Sequence, residues 1–379
     1  GNSGVESEGY ADSPYTKTRD FGSENITAVG GDGGTAYLGK YIWPSFYRKP
    51  YYSERYWDGG APVRITSTDP ERPATLTKTV YADWILEDGK APNAPLKIDN
   101  VNLETNFAGM NIYGRGNKIV IGENVTTESG ELFRIYGGSF ANDRTTGYPT
   151  NVVVESGYWH LVCGGGHSNI PNGTTVTIRD TASVGTLYGG GTQDSTVGTP
   201  NGVNTDVNIF IEGGNINQLY GGNRVESTNC AIYEDINIEI TGGHVDVLYA
   251  GNDYSHSEDS KNWQNSYVQG NVTVAIRNGG SATTVIGDPI HNAFGSRSIK
   301  GATILEAYCN EQFNRLDQWD VVRIIGTGSP NSTTVETAGT TGIAYIGRIE
   351  VTDGGRLYLK ENGYINVWNE SDQILTPQN

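Results

Sequence analysis

Apolar and polar residues alternate with a period of two in segment after segment of this chain. NVVVE sets Val152 and Val154 on one face, and TVTIR sets Val176 and Ile178. DVNIFIE (Val207, Ile209, Ile211), DINIEI (Ile236, Ile238, Ile240) and NVTVAI (Val272, Val274, Ile276) repeat the pattern. β-Branched residues at every second position specify strands with one buried face. No comparable helical period runs through this region.

After each strand come a Gly turn, a second short apolar run and a Gly-rich corner: GELFRIYGGS from 130, GYWHLVCGGG from 157, TASVGTLYGGG from 181, GGNINQLYGGN from 213, GGHVDVLYAGN from 242 and GGSATTVIGD from 279. The residues that close these runs are Tyr136, Cys163, Tyr188, Tyr220, Tyr249 and Ile286, spaced 27, 25, 32, 29 and 37 apart. A unit that keeps its motif while its length varies is a solenoid coil with insertions at one corner. One coil cannot bury its apolar face alone; stacked coils can. Short connections between parallel strands, with no helix to cross over, require such a coil. A propeller needs four strands per blade in about 40–50 residues, more than most of these steps supply. The expected fold is therefore all-β: a single right-handed parallel β-helix, with variable loops on one edge and an irregular, aromatic-rich N-terminal segment. His160, Gly185, Asn217 and Asp246 share one position in the unit. Their residue types suit a left-handed corner, which is preferred over a catalytic role for Asp246.

Residues 1–60 are read as an irregular segment or cap and 61–379 as the β-helix, with the clearest repeats at 117–288. PVRITSTDPERPATL and APLKIDNVNLE look like earlier, less regular coils, and RIEVTDGGRLYLKENGYINVW like the last ones. Between them, LEAYCNEQFNRLDQWD (305–320) is the best candidate for a short helix or a capped loop.

Composition narrows the partners. The formal net charge of −17 and the absence of a Lys/Arg-rich run disfavour nucleic acid. No stretch of about 18 apolar residues offers a membrane-spanning helix. Cys163, Cys230 and Cys309 are odd in number and without CxxC spacing, so neither a disulfide framework nor a zinc site is implied. No GxSxG, HExxH, Walker or EF-hand signature appears, and GGxGxD is missing; no cofactor or metal is expected. The GGG runs at Gly164 and Gly189 recur once per coil without a following helix, so they are corners rather than phosphate cradles. The polar start GNSGVESEG, without Met, fits a removed export signal.

Loops that follow the Gly corner should emerge along one edge, with rungs about 4.8 Å apart. Their first residues form a row: His167; Thr192 to Asp194; Arg224 to Glu226; Asp253 to His256; Asp288 to His291. Asp253 and Asp288 are the candidate acid/base pair, supported by His256 and His291. Arg224, His167, Asp194 and Glu226 are candidate substrate-binding residues; for each alone, an ordinary solvated loop position is the competing reading. The long insertion 253–269 adds Trp263, which either stacks on a pyranose or anchors its own loop. YLGKYIWPSFYRKPYYSERYW (37–57) adds Trp43, Tyr47 and Trp57 as aromatic platforms or as a cover for the first coil.

The pattern x-I/V-x-I/V-x-GG-x-I/V-x-x-LYGGG resembles secreted β-helix proteins of gut-type bacteria, among them surface adhesins and carbohydrate-active enzymes. The resemblance covers residues 117–288 well and specifies architecture more than chemistry. It implies a secreted or cell-surface bacterial protein, including lipoprotein anchoring, and a monomer acting on an oligo- or polysaccharide. Two functions follow as expectations: a glycoside hydrolase or polysaccharide lyase that uses the loop carboxylates, or a non-catalytic carbohydrate-binding adhesin. A purely structural spacer would have short, uniform loops.

Overall fold

The fold is taken from a computed structural model. It describes residues 109–127, 132–139, 146–193, 195–200, 202, 205–226, 229–257, 264–290, 297–340 and 346–367, and the strand backbones Asn25–Thr27, Val63–Ser67, Trp84–Ile85, Leu96–Asp99, Val101–Thr105 and Ile374–Leu375. Among these residues the protein is all-β, without an α-helix.

The alternating segments become a first limb. Strands Thr150–Val154, Thr174–Ile178, Val207–Ile211, Ile236–Ile240, Val272–Ile276 and Thr303–Ala307 pair in parallel, each with the next. Val152, Val176, Ile209, Ile238, Val274 and Leu305 are in register. They point inward and are essentially fully buried. Asn25–Thr27 pairs in parallel with Lys97–Asp99, so part of the N-terminal segment extends this limb.

The runs that close on a Gly corner form a second limb. Tyr113, Tyr136, Cys163, Tyr188, Tyr220, Tyr249, Ile286 and Asp317 stand in one column of parallel partners. The Gly corner beyond the column is packed coil on coil. A Cβ on Gly164 would lie 2.2 Å from the Gly189 carbonyl oxygen, a separation no side chain can adopt.

A third limb is one residue wide. Ile170, Val197, Ile232, Val268 and Ile299 bridge in parallel from coil to coil, and all are fully buried. Each coil thus closes a three-limbed outline around a continuous apolar interior.

The structure corrects three expectations. His160, Gly185, Asn217 and Asp246 lie inside strands and none has a positive φ. The pairing skips this position in successive coils, passing from Val184↔Ile216 to Thr186↔Gln218, and the strand continues through it without a left-handed residue. Between the first two limbs, by contrast, each of these coils has a left-handed residue: Gly157, Asp180, Gly214, Gly243 and Gly279. Residues 305–320 hold strands Thr303–Ala307, Glu311–Phe313, Arg315–Asp317 and the start of Trp319–Ile325 instead of a helix, because Leu305, Phe313, Leu316 and Trp319 alternate into the same apolar interior. Insertions are not confined to one corner either, since nine residues separate Val197 of the third limb from Val207 of the first, against three between Ile170 and Thr174.

Two short antiparallel pairs occur near the chain's ends, Val63–Ser67 with Val101–Thr105 and Ile365–Asn366 with Ile374–Leu375. No helix among the described residues is long and apolar enough to cross a membrane, a statement that does not bear on strands.

Candidate functional site

The column before the Gly corner is aromatic, and its rings stack along the coil axis. Tyr113 and Tyr136 stack at 4.8 Å with planes 9° apart. Tyr188 and Tyr220 stack at 5.2 Å, and Tyr220 and Tyr249 at 4.8 Å. Parallel in-register strands place identical side chains one rung apart, which is stacking distance for rings. Cys163 separates the two stacks. Its thiol donates to the Gly190 carbonyl at 3.0 Å, and burial pushes it up to about 12, so it is not a nucleophile. His167 meets both lower rings edge-on, 5.8 Å from Tyr113 and 5.2 Å from Tyr136.

The row of loop residues runs beside the upper stack. Thr192–Gln193 pairs with Arg224–Val225, and Arg224 bridges to Asp253. The Val225 amide donates to the Asp253 carbonyl at 2.8 Å. This ladder brings Arg224, Glu226, Asp253 and His256 together, as the repeat spacing implied. Arg224 Nε lies 3.0 Å from Glu226 Oε1, and both side chains are about one-third exposed.

Asp253 is buried. Tyr188, two coils away, donates its hydroxyl to Asp253 Oδ2 at 2.6 Å. The Ser255 amide and hydroxyl donate to Oδ1 at 2.9 and 2.7 Å. His256 Nε2 stands 3.5 Å from Oδ2 and its ring is partly exposed. Burial and the Asp253 charge both push the Tyr188 phenol far up, so it stays a donor.

Asp288 belongs to a different network. It is fully buried and accepts from the Ile290 amide at 3.0 Å, the Ser298 amide at 2.7 Å, the Ile299 amide at 2.9 Å and the Ser298 hydroxyl. It ties the loop that leaves the corner to the third limb where the chain returns. Asn223 and Asn252 do the same on the coils below: Asn223 donates to the Ser195 and Cys230 carbonyls, and Asn252 to the Ser266 carbonyl. The geometry therefore does not join Asp253 and Asp288 as partners around a common substrate atom. Asp253 orients its surroundings and Asp288 closes a loop.

His291, Asp194, Trp263, Trp43, Tyr47 and Trp57 lie outside the described residues. Among the described residues, no group of three or more His, Cys, Asp or Glu is placed to hold a metal ion. The stacked tyrosines themselves were visible in the sequence as a repeated motif, but nothing there marked them as the wall of the loop row.

Comparison with known proteins returns no match to a family model, a curated protein or a solved structure.

Proposed function

We propose that the protein is a right-handed parallel β-helix, secreted or cell-surface in a bacterium, which binds an oligo- or polysaccharide along the rim formed by Arg224, Glu226 and His256. The right hand is the general rule for parallel strands joined by a crossover. One observation carries the binding reading: polar side chains from neighbouring coils reach solvent together beside a stacked tyrosine column. Sugars offer hydroxyls to such polar groups, while the buried rings of Tyr188 and Tyr220 give the rim a fixed backing.

Cleavage of a glycosidic bond is the second reading, favoured by the Asp253–His256 contact. A base oriented by a buried carboxylate is the general form of an activated catalytic group. In this reading His256 is the base, Asp253 its orienting partner, and the Arg224–Glu226 pair holds the substrate.

A glycan panel scored for both binding and release of reducing ends tests the proposal. Retention on a glycan that is lost in Arg224→Ala and His256→Ala supports it. Release that depends on His256 selects cleavage. The absence of retention and of release across the panel would remove both readings.

A further inference from the structure

The outer face of the second limb, away from the loop rim, holds a group of residues that the rim does not use. His244 and Ser281 are parallel partners on adjacent coils. Ser281 Oγ lies 2.8 Å from His244 Nδ1 and, more distantly, 3.3 Å from the Gly243 carbonyl oxygen. On the other side of the ring, His244 Nε2 lies 3.2 Å from Asp246 Oδ1 and 3.0 Å from Thr283 Oγ1. Asp246 sits two residues after His244 in the same strand, so the two side chains share a face. The His244 and Asp246 side chains are 36% and 59% exposed, so solvent and small molecules reach them.

The tautomer follows from the partners. An ionised carboxylate only accepts hydrogen bonds, so the imidazole proton sits on Nε2, facing Asp246. Nδ1 is then an acceptor, and the hydroxyl proton of Ser281 points at it. A hydroxyl donating to a neutral imidazole that a carboxylate orients is the arrangement that activates a serine, and it is recognised by geometry and not by sequence order.

We infer that Ser281, His244 and Asp246 form a nucleophilic triad that cleaves small carboxylic esters. Ser281 Oγ attacks the acyl carbon as its proton passes to His244. The ester C–O bond breaks, and His244 gives that proton to the departing alkoxide. Water, deprotonated by His244, then attacks the acyl-serine; the acid leaves and Ser281 recovers its proton. The Ala282 amide donates to Glu311 Oε2 at 3.3 Å and the neighbouring strand is paired in the coil ladder, so the oxyanion must draw on side chains. Gln312 and Asn314, exposed on the next coil, carry side-chain amides on the segment whose Asn314 backbone amide donates to the Thr283 carbonyl at 2.8 Å. Mobile side-chain donors stabilise an oxyanion less well than fixed backbone groups, so turnover should be slow. The inference rests on the glycan reading only for the alcohol, which would be a hydroxyl of an O-acylated sugar.

The test uses the full chain with a fluorophosphonate probe, which forms a serine Oγ–P bond as fluoride leaves, and with p-nitrophenyl acetate. Labelling should map to Ser281, vanish in Ser281→Ala and fall at least tenfold in His244→Gln and Asp246→Asn. Release of p-nitrophenol should follow the same order. His256→Ala, on the loop rim, should label as wild type does. All four substitutions are at partly exposed side chains, and each variant's thermal midpoint is compared with wild type so that unfolding is not mistaken for loss of the nucleophile. No labelling of the folded wild type, or labelling that persists in Ser281→Ala, overturns the triad. Glycan retention is read separately: if folded wild type retains the glycan but is not labelled, only the triad falls.

Discussion

Two buried acids of this molecule have opposite surroundings. At the base of a loop, Asp288 accepts three backbone amides and a hydroxyl. In the stack interior, Glu311 is 4% exposed and, among the described residues, accepts from the Ala282 amide and the Cys309 thiol, both at 3.3 Å. Donors replace the water that a carboxylate loses on burial, and a thiol is a weak donor. Burial therefore raises Glu311 to about 7. The difference separates two uses of an acid in the same stack. Asp288 holds a chain crossing in place, whereas Glu311 fills a core position at a cost that depends on pH.

The largest effect should come from breaking the well-satisfied case. Asp288→Ala leaves the Ser298, Ile299 and Ile290 amides without their acceptor and should destabilise by about 3 kcal/mol or more, read by denaturant unfolding. A loss under 1 kcal/mol would mean that the loop closes by other means.

Glu311 sharpens the other half of the comparison. Its folded value lies above the unfolded one, so its stabilising contribution is complete below about pH 4.5 and is lost as pH rises towards about 7. Glu311→Gln should remove that slope and make the protein more stable than wild type at pH 8, by up to about 3 kcal/mol. Parallel pH–stability curves for the two proteins would refute it.

Tyr188→Phe takes one donor from buried Asp253 and leaves those of Ser255. The expected loss is about 1–3 kcal/mol by thermal or chemical unfolding, smaller than for Asp288→Ala because fewer bonds go. The smallest effect concerns Cys163 and Cys309, each pushed up to about 12 by burial. Neither should react with iodoacetamide at pH 8 in the native protein, while both should react after denaturation.

Much of the stack was legible in the sequence. The inward residues of the first limb follow from the period of two, and the column from Tyr136 to Ile286 pairs residue for residue as the motif aligned it. The third limb was hidden because it contributes one apolar residue per coil, such as Val197 or Val268, amid polar loop residues. Periodicity needs several residues to register, and a one-residue limb has none. The loop row was legible in part. Its order and the nearness of Arg224 to Asp253 follow from the repeat. The burial of Asp253 does not, because its partner Tyr188 comes from two coils earlier and reaches it through a side chain. His244 and Ser281 share one position of the repeat, directly after the Gly pair, so their pairing follows from the motif, but nothing in the sequence marked that position as chemical.

Alternating β-branched residues and recurrent glycines by themselves determined that this chain forms strands, that the strands turn at fixed points and that successive units must stack to bury their apolar faces. Those are local consequences of backbone geometry and of the cost of exposed hydrocarbon. Only the tertiary structure decided which acids are sealed and which meet solvent, because that depends on side chains contributed by other coils.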